Sequence, residues 1–255
     1  MAIYIHEILC TLIFKYLEFY DKHTFKRIKK NTDRIYITDL FNIHRKYLIR
    51  LDDDILKNYK CVVKLSLGPC SKVTQIQHIK KLRELNASGC HCKIDDECIR
   101  NINLEKLIAY DNPKITNVNH MTNLKELNAG GNCGINNEGI SCVNLEVFDA
   151  SFNRKITNVN HMSNLKVLDA SYNCGIDDQG IINVNLEVLD AESNSKISKV
   201  NHMSNLKVLN ANSSCGIDDK GISDLSLEKL CADFNSKITS KIRNKLLKNR
   251  KKHIN

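Results

Sequence analysis

The chain has 255 residues, 42% of them apolar and 26% charged, which describes a folded protein rather than a disordered one. The net charge of +9 is unevenly placed: residues 1–60 hold 12 Lys and Arg against 8 acids, and residues 236–255 hold 8 basic residues and no acid. The 175 residues between them hold 18 basic residues against 21 acids, so the excess sits at the ends and weighs against a nucleic-acid-binding body. No apolar run reaches the ~18 residues of a membrane span. The first residues, "MAIYIHEILCTLIF", are apolar but lack a basic start and a small-residue cleavage site, so no signal peptide is expected. The 11 cysteines show no framework spacing, and reduced thiols in an intracellular, cytoplasmic protein are expected.

In chain order, residues 1–60 form the first predicted unit. Leu9, Leu12, Ile13, Tyr16 and Leu17 recur at helical spacing and give one apolar face. Phe25 and Ile28 continue such a face in a following helix, so 1–60 is predicted as a small N-terminal helical module and cap.

A repeat then takes over. Leucine or valine recurs at residues 62, 82, 104, 124, 145, 165, 186, 206 and 227, in steps of 20–22. Three positions later stand Leu65, Leu85, Leu107, Leu127, Phe148, Leu168, Leu189, Leu209 and Leu230. Two further on, Leu67 is followed by Ala in all eight later copies, Ala87 to Ala232. The ninth position reads Cys70, Cys90, Asn112, Asn132, Asn153, Asn173, Asn194, Ser214 and Asn235. This is the pattern of a leucine-rich repeat. Two subtypes alternate, one with "CGIDDQGI" (174–181) and one with "KITNVNHMTNL" (114–124), so the full unit is 41 residues. The predicted fold is an α/β repeat solenoid over 61–239: a nine-rung leucine-rich-repeat horseshoe with a parallel sheet and short convex segments. A rung of 20–21 residues leaves too little chain for long convex helices, and the alanine column is read as fitting a thin interior.

The columns between the leucines carry any function. The second position alternates in sign: Arg83, Glu105, Lys125, Glu146, Lys166, Glu187, Lys207 and Glu228. A surface ion-pair ladder is the plain reading. The fifth position offers Asn128, Asp149, Asp169, Asp190 and Asn210, the third offers Val147, Val167, Val188 and Val208, and Tyr110, Phe152, Tyr172 and Phe234 follow the strands. Solenoids bind partners on such a concave face, so Asn128, Asp149, Phe152, Val167, Asp169, Tyr172, Val188, Asp190 and Asn210 are the candidate target-binding residues.

The acidic pairs Asp95-Asp96, Asp177-Asp178 and Asp218-Asp219 fit helix N-caps better than a calcium loop, because Asn136-Asn137 replaces one pair. His78, His120, His161 and His202 recur two rungs apart, roughly 10 Å, too far to share a metal. "CHC" at 90–92 lacks C-x-x-C spacing. No metal site, cofactor or catalytic constellation is expected, and the chain is not read as an enzyme. At the end, 240–255 is predicted as a basic amphipathic capping helix, with Ile242, Leu246 and Leu247 over the last rung. "KNRKKH" leaves a nuclear-import or nucleic-acid role as the weakest reading.

The N-terminal segment resembles an F-box, L-P-x-E-x-L-x-x-I-F-x-Y-L-x-x-x-D. "LIFKYLEFYD" (12–21) carries Ile13, Phe14, Tyr16, Leu17 and Asp21 in register, and Ile5 matches the opening Leu. His6 replaces the Pro, Ile8 stands where the acid belongs, and Thr32 replaces the closing Trp. The repeats are similar to those that follow F-boxes, and the near-identical copies and Lys/Asn/Ile-rich composition are similar to repeat proteins of giant DNA viruses. The resemblance implies a substrate receptor of a cullin-based ubiquitin ligase. Ile5, Leu9, Ile13, Phe14, Leu17 and Asp21 would meet a Skp-type adaptor, the solenoid would hold a target protein, and a viral chain would work in the host-cell cytoplasm. The competing reading is an interaction scaffold whose N-terminal helices only cap the solenoid.

Overall fold

The computed structural model describes residues 39–40, 51–69 and 71–244. Its centre is one parallel sheet of ten strands in strict sequence order. The strands are β1 (Asp39–Leu40), β2 (Lys64–Ser66), β3 (Glu84–Asn86), β4 (Lys106–Ile108), β5 (Glu126–Asn128), β6 (Val147–Asp149), β7 (Val167–Asp169), β8 (Val188–Asp190), β9 (Val208–Asn210) and β10 (Lys229–Cys231). Each strand is only the third to fifth positions of the repeat, and equivalent residues pair rung after rung, as in Leu127↔Phe148 and Phe148↔Leu168. This is the expected leucine-rich-repeat solenoid. β2 to β10 are its nine rungs. The sheet starts earlier than residue 61, because Asp39 and Leu40 pair with Lys64 and Leu65.

Leu and Ala point inward. Leu168, Ala170 and Ile176 are at most 1% exposed, and one buried cluster runs from Leu40 to Ile238. The return path is as short as the rung length requires: four-residue helices at Asp53–Leu56, Asp96–Ile99 and Asp219–Ile222, and three-residue 3₁₀ turns at Glu138–Ile140 and Gln179–Ile181. The rungs lie so close there that a Cβ on Gly180 would fall 2.0 Å from the Thr157 carbonyl oxygen.

The ninth position does not face inward in every rung. Asn112, Asn153, Asn194 and Asn235 are buried, but Asn132, Asn173 and Ser214 are exposed. In those rungs the chain turns inward one residue later, and Cys133, Cys174 and Cys215 take the interior place. Cys92, not the exposed Cys90, does so at the start. The ladder therefore alternates Asn and Cys. Each buried Asn donates twice: Asn153 Nδ2 reaches the carbonyls of Ala129 at 2.8 Å and Ile135 at 3.1 Å, and its Oδ1 accepts from Lys155 N. Lys155 Nζ then reaches the Cys133 carbonyl. Desolvation pushes the Cys133 and Cys174 thiols up to about 11, so both are neutral packing groups at physiological pH.

The acidic pairs split their work. The first member caps its own turn, as Asp95 accepts from Cys98 N and Asp218 from Gly221 N. The second clamps the following rung: Asp178 accepts from both Ser198 N and Ser198 Oγ, and Asp219 does the same with Thr239. Only the first role was expected. The histidine column bonds to the carbonyl that ends the preceding turn, as His161 Nε2 lies 3.0 Å from Ile140 O. At the far end residues 240–244 are helical, Ile242 packs against the core, and the Arg243 guanidinium bonds to the Ala232 carbonyl. Leu246 and Leu247 lie outside the described residues.

Candidate functional site: the concave sheet face

Side chains alternate across a strand, so the third and fifth positions share the face opposite the core. Val147, Val167, Val188 and Val208 pair in register there and are half-buried. One position away, Asp149, Asp169 and Asp190 pair in register as well. This brings Asp149, Val167, Asp169, Val188 and Asp190 onto one continuous surface, with Asn128 and Asn210 at its two ends.

The fifth-position side chains have a structural task. Each accepts from the amide two residues on and so closes the turn that leaves the strand: Asn128 Oδ1 from Gly130, Asp169 Oδ1 from Ser171, Asp190 Oδ1 from Glu192. The terminal amides also donate to the outer acids without cancelling their charge. Asn128 Nδ2 donates to Asp149 Oδ2 at 2.6 Å, and Asn210 Nδ2 to Asp190 Oδ2 at 2.9 Å. Asp169 stands between two carboxylates. Burial pushes its carboxyl up to about 6, the Ser171 hydrogen bonds oppose that rise, and Asp149 and Asp190 add to it.

The residue after each of these turns is left-handed. Phe152 has φ 61° and Tyr172 φ 57°, a region that suits Gly or Asn and costs a bulky side chain free energy. Their rings stack with centroids 4.2 Å apart and planes within 11°, yet remain 46% and 37% exposed. The aromatic edge is not continuous. Ser193 and Ser213 fill the same left-handed place on the next two rungs, and Phe234 stands three rungs away, about 14 Å, and 95% exposed. Tyr110 lies one position earlier in its rung, against the bare backbone of Gly130 and Gly131.

On the other half of the face the third position is charged. Lys64–Glu84 and Lys106–Glu126 form ion pairs at 2.7 Å and 2.5 Å, which the sequence reading missed. The alternating second position pairs as expected at Arg83–Glu105, Lys125–Glu146 and Lys207–Glu187. The missed pairs had a signal: Lys64, Glu84, Lys106 and Glu126 alternate in sign like the second position. The adaptor-binding candidates Ile5, Leu9, Ile13, Phe14, Leu17 and Asp21 lie outside the described residues. Among the described residues no group of three or more His, Cys, Asp or Glu is placed to hold a metal ion, and no helix is long and apolar enough to cross a membrane.

No family profile matches the chain, and neither does any curated protein. Among solved structures it is similar to an internalin of Listeria monocytogenes, at 17% identity and a TM-score of 0.43, covering 74% of this chain and 69% of that one. It is similar to the yeast Rad7–Elc1 complex at 13% identity and a TM-score of 0.40, covering 93% and 90%. The functional domain of InlJ from Listeria monocytogenes, described as including a cysteine ladder, is similar at 17% identity and a TM-score of 0.34, covering 74% of this chain and 52% of that one. At these identities no residue role passes from those proteins to this chain. The fold rests on its own ten-strand sheet and its counted repeats, and these make the chain a leucine-rich-repeat solenoid.

Proposed function

We propose that this chain is a protein-binding receptor that presents the concave face of β6–β9 to a target, with the N-terminal segment docking on a Skp-type adaptor of a cullin-based ubiquitin ligase. The observation that carries the target-binding half is the exposed Phe152–Tyr172 stack, held in a conformation that costs free energy beside an in-register apolar column. The adaptor half is supported by "LIFKYLEFYD" and its resemblance to an F-box. Co-expression with a Skp-type adaptor tests it. The chain is expected to co-purify with adaptor, and Phe14→Ala with Leu17→Ala to lose it while the melting temperature of the solenoid is kept. No co-purification, or no loss in a folded variant, removes the ligase role.

One observation favours a second reading, a scaffold without that role. Asp39–Leu40 adds a strand to the solenoid sheet beside the first rung, which supports a capping role for the chain that precedes it. Failure of adaptor capture would leave this reading standing.

A further inference from the structure

The concave face changes chemistry between β5 and β6. Over β2–β5 charge is balanced within the face, by Lys64 with Glu84 and Lys106 with Glu126. Over β6–β8 the same column is Val147, Val167 and Val188, and beside it run three aspartates in register. Like charges directly opposite one another in a sheet are unfavourable. Among the described residues no Lys or Arg forms an ion pair with Asp149, Asp169 or Asp190. The outer two receive amide donors from Asn128 and Asn210, whereas among the described residues Asp169 accepts only from its own rung, from Ser171. At the exits of β6 and β7 stand the stacked, exposed rings of Phe152 and Tyr172.

An apolar floor, a negative row with no cationic partner among the described residues and an exposed aromatic stack fit one kind of occupant. We infer that the face over β6–β8 docks an arginine side chain carried on an extended basic segment of a partner protein. The carboxylate row takes the guanidinium, the valine column lies under its methylene stem, and the outer face of the Tyr172 ring, which Phe152 backs, stacks on its plane. Charge complementarity selects a basic partner, and the aromatic pair selects arginine over lysine, whose ammonium has no plane to stack. The inference rests on the concave face being a protein-binding surface. It does not depend on the adaptor.

The test uses the full chain and a fluorescent dodecapeptide of Gly and Ser with arginine at three alternate positions, beside its lysine and citrulline counterparts, at physiological salt. Anisotropy is expected to show saturable binding of the arginine peptide, about tenfold weaker binding of the lysine peptide, and none of the citrulline one. Asp169→Asn and Tyr172→Ala should each weaken binding about tenfold or more, Tyr172→Phe should keep it, and Glu126→Gln on a balanced rung should leave it unchanged. Bound peptide should also lower the pH at which Asp169 titrates, read by carboxyl carbon NMR. Absent binding, equal binding of lysine and arginine, or an equal loss with Glu126→Gln would overturn the inference. So would markedly tighter peptide binding when Lys248, Arg250, Lys251 and Lys252 are changed to Gln, because the chain's own tail would then be the occupant. Adaptor capture by a protein that ignores the arginine peptide would sink this inference alone; peptide binding without adaptor capture would sink only the ligase role.

Discussion

Rungs β2–β5 and rungs β6–β9 share one interior and differ on one face. Leu127 and Leu168, Ala129 and Ala170, Ile135 and Ile176 occupy equivalent buried places in the two halves. Outside, the first half sets Lys against Glu across neighbouring strands, and the second sets Val against Val and Asp against Asp. The interior of a repeat is bound by its neighbours above and below, so it varies little along the stack. The concave face answers only to solvent and partners, so a local departure there from internal charge balance points to something outside the chain.

The comparison breaks first if the two interiors are unequal. Gly139→Ala and Gly180→Ala each bring a Cβ to within 2.0 Å of a threonine carbonyl oxygen on the preceding rung. Each is expected to cost about 3 kcal/mol, and chemical denaturation of the two variants should give the same loss. A much smaller loss for one would show that the halves differ inside as well as outside.

Asp169→Asn sharpens the contrast on the face. Burial pushes its carboxyl up to about 6 in the folded chain from an ordinary 3.8, so the folded state holds the proton more tightly than the unfolded one. Wild-type stability from this group is therefore present at acid pH and declines as pH rises from about 4 to about 6. The Asn variant keeps the Oδ1 that accepts from Ser171 and loses the charge. It should match the wild type below about pH 4 and be more stable above pH 6, by about 1–2 kcal/mol. Melting temperatures across pH 3.5–8 check this, and a variant less stable at pH 7.5 would refute it. The smallest effect belongs to the balanced half. Glu126→Gln removes an exposed partner of Lys106 and should cost about 0.5 kcal/mol at low salt, fading at 1 M salt.

Much of the body was legible in the sequence because leucine and alanine columns report burial directly. The short convex pieces followed from rung length. The Asn–Cys alternation was not legible. Counting from Ala129 and Ala170 puts Asn132 and Asn173 in the ninth place, and only the fold shows that the chain turns inward one residue later, at Cys133 and Cys174. The second acid of each pair was hidden for a related reason: Asp178 meets Ser198 from 20 residues away, across a rung boundary that local motifs do not span. At the site, the valine and aspartate columns could be read by counting. The left-handed backbone of Phe152 and Tyr172 could not, since neither residue type signals it, and their stacking depends on a register between rungs.

The alternating ladder also sets how such a chain can grow. An Asn rung reaches back to carbonyls of the Cys rung before it, and its lysine reaches the cysteine's own carbonyl. Losing or gaining a single rung would place two of one kind together and leave those carbonyls without their donors. Losing or gaining two restores every contact. Recombination between near-identical 41-residue stretches of the coding sequence would therefore lengthen or shorten the binding face in double steps, with the interior none the worse.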